Sequence, residues 1–106
     1  MFRLADVPVK HAAADPADVV SGAPTLGTTP LTTLGDTGVE VGLWEMSVGA
    51  VRDVEVDEVF VVLAGSATIT VDGSSVAVGP GDLVRLTAGT ATTWEVTSPI
   101  RKLYVA

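Results

Sequence analysis

Gly49-Ala-Val-Arg-Asp-Val-Glu-Val-Asp-Glu-Val-Phe-Val-Val-Leu-Ala-Gly65 decides the fold, together with its sequel Gly79-Pro-Gly-Asp-Leu-Val-Arg-Leu-Thr-Ala-Gly-Thr-Ala-Thr-Thr-Trp94. Both blocks are rich in valine and punctuated by glycine, and neither contains a histidine. From Val39 onward the apolar pattern has a period of two and turn signals recur at short intervals, as an all-β sandwich or barrel requires. The pattern predicts strands at 39–48, 58–64, 67–72, 75–78, 82–86, 92–97 and 101–105. Asp72-Gly73 marks a tight hairpin, because both central positions need a positive φ that glycine adopts without steric cost. Gly79-Pro80-Gly81-Asp82 fits a type II turn, with Pro second and Gly third.

Strand 67–72 alternates cleanly, Ala67, Ile69 and Val71 against Thr68, Thr70 and Asp72. Strand 58–64 does not: Phe60 and Val62 share the face of Glu58, while Val59, Val61 and Leu63 fill the other. An exposed valine-leucine stripe invites aggregation, so something must cover it. The N-terminal arm and a second subunit are the two candidates, and a homodimer using both is the expectation.

Residues 1–38 form that arm, rich in Ala, Asp, Pro, Gly and Thr and poor in alternation. Asp15-Pro16-Ala17-Asp18-Val19-Val20-Ser21-Gly22 carries a capping residue, an early proline and an exit glycine, which together predict one or two helical turns. Thr25 to Asp36 reads as a connector with at most one short strand. Residues 39–106 form the barrel, and arm and barrel together make one domain.

Composition narrows the function classes. The 13 acids against 6 bases give a formal charge of −7. No basic stripe is available for nucleic acid or an anionic membrane. Without cysteine, thiolate metal sites and cysteine nucleophiles are excluded. The longest charge-free core run, Val59 to Val71, is shorter than the roughly 18 residues of a membrane helix, so a cytoplasmic protein is expected. Asp53, Glu55 and Asp57 have the spacing of one strand face and read as a solvated edge, or else as an entrance attracting amines or loosely held Ca²⁺. The recurring glycines need only turns. No Ser-His-Asp set exists in the β region, and no phosphate-cradling loop precedes a helix.

The layout resembles the two motifs of the cupin superfamily. Glu58 and Gly65 match the glutamate, six residues and glycine that end the first motif. Pro80-Gly81-Asp82 matches the start of the second, Thr87-Ala88-Gly89 stands near its Pro-x-Gly, and Thr92 takes the place of its histidine. Gly42-Leu43-Trp44-Glu45, Asp57-Glu58, Thr93-Trp94-Glu95-Val96 and Arg101-Lys102-Leu103-Tyr104-Val105 are similar to the subfamily of ureidoglycine aminohydrolases and ethanolamine-utilisation cupins. The resemblance spans 39–105 and implies a jelly-roll β-barrel with an irregular N-terminal arm.

In the manganese-dependent aminohydrolases of that subfamily, four ligand positions correspond to Arg52, Val54, Glu58 and Thr92 here. Only Glu58 is a good ligand, so no metal or other cofactor is expected, with a weakly bound divalent metal left open. The lone histidine, His11, lies in the arm. A guanidinium at Arg52 is expected to substitute for the metal by pairing with Glu58. Glu58 is the candidate acid or base, or a ligand anchor if it is paired. The expected ligand site is Arg52, Glu58, Thr92, Trp94 and Tyr104. Trp44 and Trp94 serve either packing or a pocket wall, with Trp94 the better pocket candidate. The implied function is binding of a small polar metabolite: an amine, ureide or amide. The alternatives are an aminohydrolase- or isomerase-type enzyme using Glu58, with or without metal, and a non-catalytic dimerising module with a filled barrel.

Overall fold

The computed structural model describes all 106 residues, Met1–Ala106. After a single 3-10 turn at Leu4–Asp6 come nine strands: β1 (Ala12–Ala13), β2 (Val19–Ser21), β3 (Thr25–Thr33), β4 (Glu40–Met46), β5 (Gly49–Val54), β6 (Glu58–Val71), β7 (Ser74–Val78), β8 (Leu83–Leu86) and β9 (Ala91–Val105). All pairings are antiparallel. The result is the all-β, curled-sheet architecture of a cupin-type jelly-roll barrel.

β9 organises the sheet. Its first half pairs with β5 and its second half with β4, while β6 runs along its other side for the whole length. The free side of β6 is completed by β7 and β8. Strands expected separately at 58–64 and 67–72 are thus one bent strand, and so are 92–97 and 101–105. The bend sits where the β6–β9 register shifts between Val62 and Ala67. Gly65 lies there with φ +79, and a Cβ would run into the backbone of Pro99 and Ile100, so only glycine fits. Across the shift the inward parity of β6 changes, from Glu58, Phe60 and Val62 to Ala67 and Ile69.

The two turns formed as their sequences require. Asp72 (φ 50) and Gly73 (φ 78) close the β6–β7 hairpin in the type I′ manner. At the second turn Gly81 has φ 90, and Asp82 N donates to Gly79 O at 3.1 Å. The core within the barrel includes Met46, Val51, Phe60, Val62, Ile69, Leu86, Trp94, Val96 and Ile100.

The arm differs from its expectation. No helical turn forms at 15–22: Asp18 N bonds back to Asp15 O in an isolated turn, and Val19–Ser21 then pairs with β5. Capping residues are present, but the β-branched pair Val19-Val20 gains more from an open sheet edge than from one short helical turn. Thr25–Thr33 is a nine-residue strand on β4 rather than a connector. The strand Gly49–Val54 is an addition to the expected set, since its charges mask its alternation.

Segment 4–10 crosses the outer face of β3, β4 and β9. Arg101 donates to the carbonyls of Leu4 (2.5 Å) and Val7 (2.8 Å). Leu43, on that face, is fully buried. The arm therefore covers the outer face of β4 and β9, whereas on the β6 stripe Val59 and Val61 are half-buried, and Leu63 (37% exposed) and Leu83 (73%) stay open.

Candidate functional site

Alternation along three strands fixes which side chains enter the barrel. On β9 the even residues Thr92, Trp94, Val96, Ile100, Lys102 and Tyr104 are buried. On β6, Glu58 and Phe60 face the same interior. Val51 pairs with Trp94 and Asp53 with Thr92, so the odd residues of β5 point inward and Arg52 points outward.

Arg52 therefore does not meet Glu58. It is exposed and lines an outer groove with Asp18, Thr70 and Asp72. The cation that meets Glu58 is Lys102, whose Nζ donates to Glu58 Oε1 at 2.9 Å, with both side chains under 8% exposed. The expected Arg52–Glu58 pair is corrected accordingly: Arg52 lies on the outward face of β5, and the cation beside Glu58 comes from β9.

Lys102 is enclosed on three sides. Its Nζ lies 4.6 Å from the ring centre of Trp44, 4.3 Å from Phe60 and 4.9 Å from Trp94. The rings pack on one another, Trp44 to Trp94 at 5.3 Å and Phe60 to Trp94 at 5.5 Å. Such faces carry negative quadrupole potential and attract an ammonium, so a carboxylate and three aromatics together meet the charge of a lysine placed deep in the fold.

Beside this pair opens a cavity of about 320 Å³, lined among others by Trp44, Glu55, Glu58, Trp94, Lys102 and Tyr104. Glu55 is 7% exposed, and its Oε1 accepts from Thr92 Oγ1 (2.8 Å) and Trp94 Nε1 (3.1 Å). The solvated-edge reading of the Asp53, Glu55, Asp57 row is thus overturned at Glu55, because β5 ends by turning it inward. Asp53, at the rim between cavity and groove, has its carboxyl pushed above the usual range by partial burial and then by the nearby Glu55, against smaller opposing effects. Tyr104 donates to Glu40 Oε2 at 2.7 Å. Burial, and then the Glu40 acceptor, push its phenol well above the ordinary tyrosine range. Gly42 faces the Tyr104 ring, and any Cβ there would collide with it.

Of the five expected site residues, Glu58, Trp94 and Tyr104 line the cavity directly. Thr92 supports it through Glu55 and Arg52 stands outside. Lys102, Glu55 and Trp44 also line the cavity, as do the carboxylates of Glu40 and Asp53. Lys102 had a usable signal, since it lies two residues before Tyr104 and so shares its face. The four positions that correspond to metal ligands do not converge: Arg52 and Val54 are exposed, Thr92 donates to Glu55 and Glu58 is held by Lys102. No group of three or more His, Cys, Asp or Glu is placed to hold a metal ion. The donor set does not fit the metal of the aminohydrolase resemblance.

A second polar cluster lies on the outer face. His11 Nε2 meets Glu45 Oε1 at 2.8 Å and its Nδ1 meets Thr25 Oγ1 at 2.9 Å, while Arg101 Nη1 donates to Glu45 Oε2 at 2.5 Å. Burial alone would raise the Glu45 carboxyl, but its partners His11 and Arg101 outweigh burial and hold it below the ordinary value. His11 thus anchors the arm.

The model for the EutQ-like cupin domain matches residues 34–104. Among solved structures, the chain is similar to the Clostridium difficile EutQ protein, with TM-score 0.76 and 24% identity over 99% of this chain and 83% of that one. It is also similar to a putative ethanolamine utilization protein Q from Salmonella typhimurium, with TM-score 0.68 and 19% identity over 93% and 94%. The Schizosaccharomyces pombe Cnp3 cupin domain gives TM-score 0.72 and 14% identity over 99% and 71%. At these identities the structural likenesses establish the fold. No curated protein matches this sequence.

Proposed function

The chain belongs to the EutQ-like cupin domain family, and on that premise we propose that it binds a small polar metabolite in the barrel without a metal. The observation that carries this reading is the Lys102–Glu58 contact at 2.9 Å inside the barrel. In the resemblance, Glu58 corresponds to a metal-ligand position; here an ammonium from the chain's own β9 supplies the positive charge. A lysine is a compact point charge with three donors. Glu58 takes one of them, which leaves polar capacity at the cavity wall for a ligand.

The proposed ligand is an amine, ureide or amide. Oε2 of Glu55 receives no hydrogen bond from the protein, whereas Oε1 receives two. A ligand N–H donating to Glu55 and an oxygen accepting from Lys102 would satisfy both walls, with Trp44 and Trp94 as apolar sides. The enzyme alternative, of aminohydrolase or isomerase type, uses the same pair, with Glu58 as acid or base. A filled, purely dimerising barrel fits less well beside a cavity of about 320 Å³. A homodimer formed over the open stripe at Leu63 and Leu83, and a cytoplasmic setting, complete the proposal. Sedimentation at several concentrations tests the dimer.

The test of the site combines metal analysis of untagged protein with a thermal-shift screen of small amines, ureides and amides on wild type and Glu58→Gln. The expected result is no stoichiometric manganese, zinc or nickel, and ligand stabilisation that Glu58→Gln removes. Stoichiometric metal, or ligand shifts indifferent to Glu58→Gln, would overturn the reading.

A further inference from the structure

We propose that Lys102 is a covalent carbonyl-capturing residue, forming a protonated imine with small aldehydes in the barrel cavity. The inference rests on the cavity reading above and adds a reaction to it.

The chain has two lysines, Lys10 and Lys102. Lys10 is exposed on the arm, whereas Lys102 is 5% exposed and lines the cavity. Within the barrel, Lys102 is the one primary amine beside both a proton acceptor and space for a small molecule. Glu58 Oε1 lies 2.9 Å from its Nζ, within the range needed for direct proton transfer. Lysine amines attack carbonyl carbons to give Schiff bases, and here the adjacent carboxylate supplies an acceptor for the proton that the ammonium must lose first.

The step balances in atoms and charge. Glu58 takes one proton from the ammonium, and the freed amine attacks the aldehyde carbon, forming the C–N bond and passing one of its own two protons to the carbonyl oxygen, which becomes a hydroxyl. The proton held by Glu58 goes to that hydroxyl, which leaves as water as the C=N bond forms. Ammonium plus aldehyde thus gives iminium plus water, with no oxidant or reductant. The positive charge stays on the same nitrogen in reactant and product. Glu58 and the faces of Trp44, Phe60 and Trp94, at 4.3–4.9 Å, therefore attract the iminium as they attract the ammonium. A site that merely required a neutral amine would not show this match.

The experiment is reductive trapping of the full chain with propanal and sodium cyanoborohydride, followed by intact mass and peptide mapping. Lys102 is expected to gain a single propyl group ahead of Lys10 and the Met1 amine. Glu58→Gln is expected to slow labelling at Lys102 by roughly 10²-fold and to leave Lys10 unchanged. Labelling confined to Lys10 and Met1, or a Lys102 rate indifferent to Glu58→Gln in a variant shown folded by circular dichroism, would overturn the proposal. Noncovalent ligand shifts with no label at Lys102 refute the imine and leave the binding site standing. Absence of both refutes the site itself.

Discussion

Arg101 and Lys102 are neighbours on β9, yet they serve opposite faces of the sheet and two different physical tasks. Arg101 points outward, where it joins Glu45 and His11 and ties down the carbonyls of Leu4 and Val7, with side chains 18–29% exposed in the ionic cluster. Lys102 points inward to one carboxylate and three ring faces, about 6% exposed. Both are positive groups facing a glutamate at short range. Water separates them energetically: it reaches and screens the half-buried outward cluster, while removing one partner of the fully buried inward pair leaves a charge that nothing compensates. The outward cluster fastens a segment, and the inward pair stands at the wall of the cavity.

Lys102→Met challenges that contrast most directly. It leaves Glu58 buried opposite aromatic rings, and should cost roughly 3–5 kcal/mol of stability in urea unfolding. Combining it with Glu58→Gln should recover most of the loss, because replacing both partners removes the orphaned charge. If Lys102→Met costs no more than an exposed pair would, the barrel interior is wet and the comparison fails.

Glu55 marks how far alternation alone could carry the sequence. The barrel was legible because glycine spacing, Asp72-Gly73 and Pro80-Gly81-Asp82 act locally, and local backbone chemistry survives packing. The place of Glu58, Trp94 and Tyr104 along the cavity was legible from motif order. Arg52 was not, because the parity of 49–55 is set by the pairing of β5 with β9 and by nothing within the segment itself. Glu55 was hidden for the same reason, since a carboxylate among Asp53 and Asp57 looks solvated until Thr92 and Trp94 arrive from 37 and 39 residues away. The arm failed differently, because its strands are fixed by partners elsewhere in the chain rather than by its own pattern.

Glu55→Ala therefore comes next in size. It strips the acceptor from two buried donors, Thr92 Oγ1 and Trp94 Nε1. The expected cost is about 1–3 kcal/mol, with a changed tryptophan fluorescence that reports the cavity wall directly. Glu55→Gln, which keeps an acceptor oxygen, should cost less. On the outer face Arg101→Ala should cost only about 1 kcal/mol globally. Its larger effect is local: amide exchange should accelerate in residues 4–11 and not in β6. Equal acceleration in both would mean that arm and barrel open together.

The smallest effect is that of pH, and the two faces should react to it in opposite directions. Asp53 at the cavity rim has a carboxyl raised by partial burial and Glu55, so its ionised form is disfavoured in the folded chain. Its favourable contribution is present below the ordinary Asp range and is lost as pH rises through the raised value. Glu45 is held low by His11 and Arg101 despite its burial. Its contribution is present above the ordinary Glu range and is lost as pH falls through the lowered value. Acidifying from neutral should therefore relieve the rim as Asp53 takes up its proton and loosen the arm as Glu45 takes up its own. Carboxyl titration by NMR, read alongside exchange in residues 4–11, checks both signs. Asp53→Asn should abolish the rim transition alone, and Glu45→Gln the arm transition alone. If arm exchange rises in step with Asp53 protonation, the two faces of β9 are electrostatically coupled, and Arg101 and Lys102 cannot be treated as separate devices.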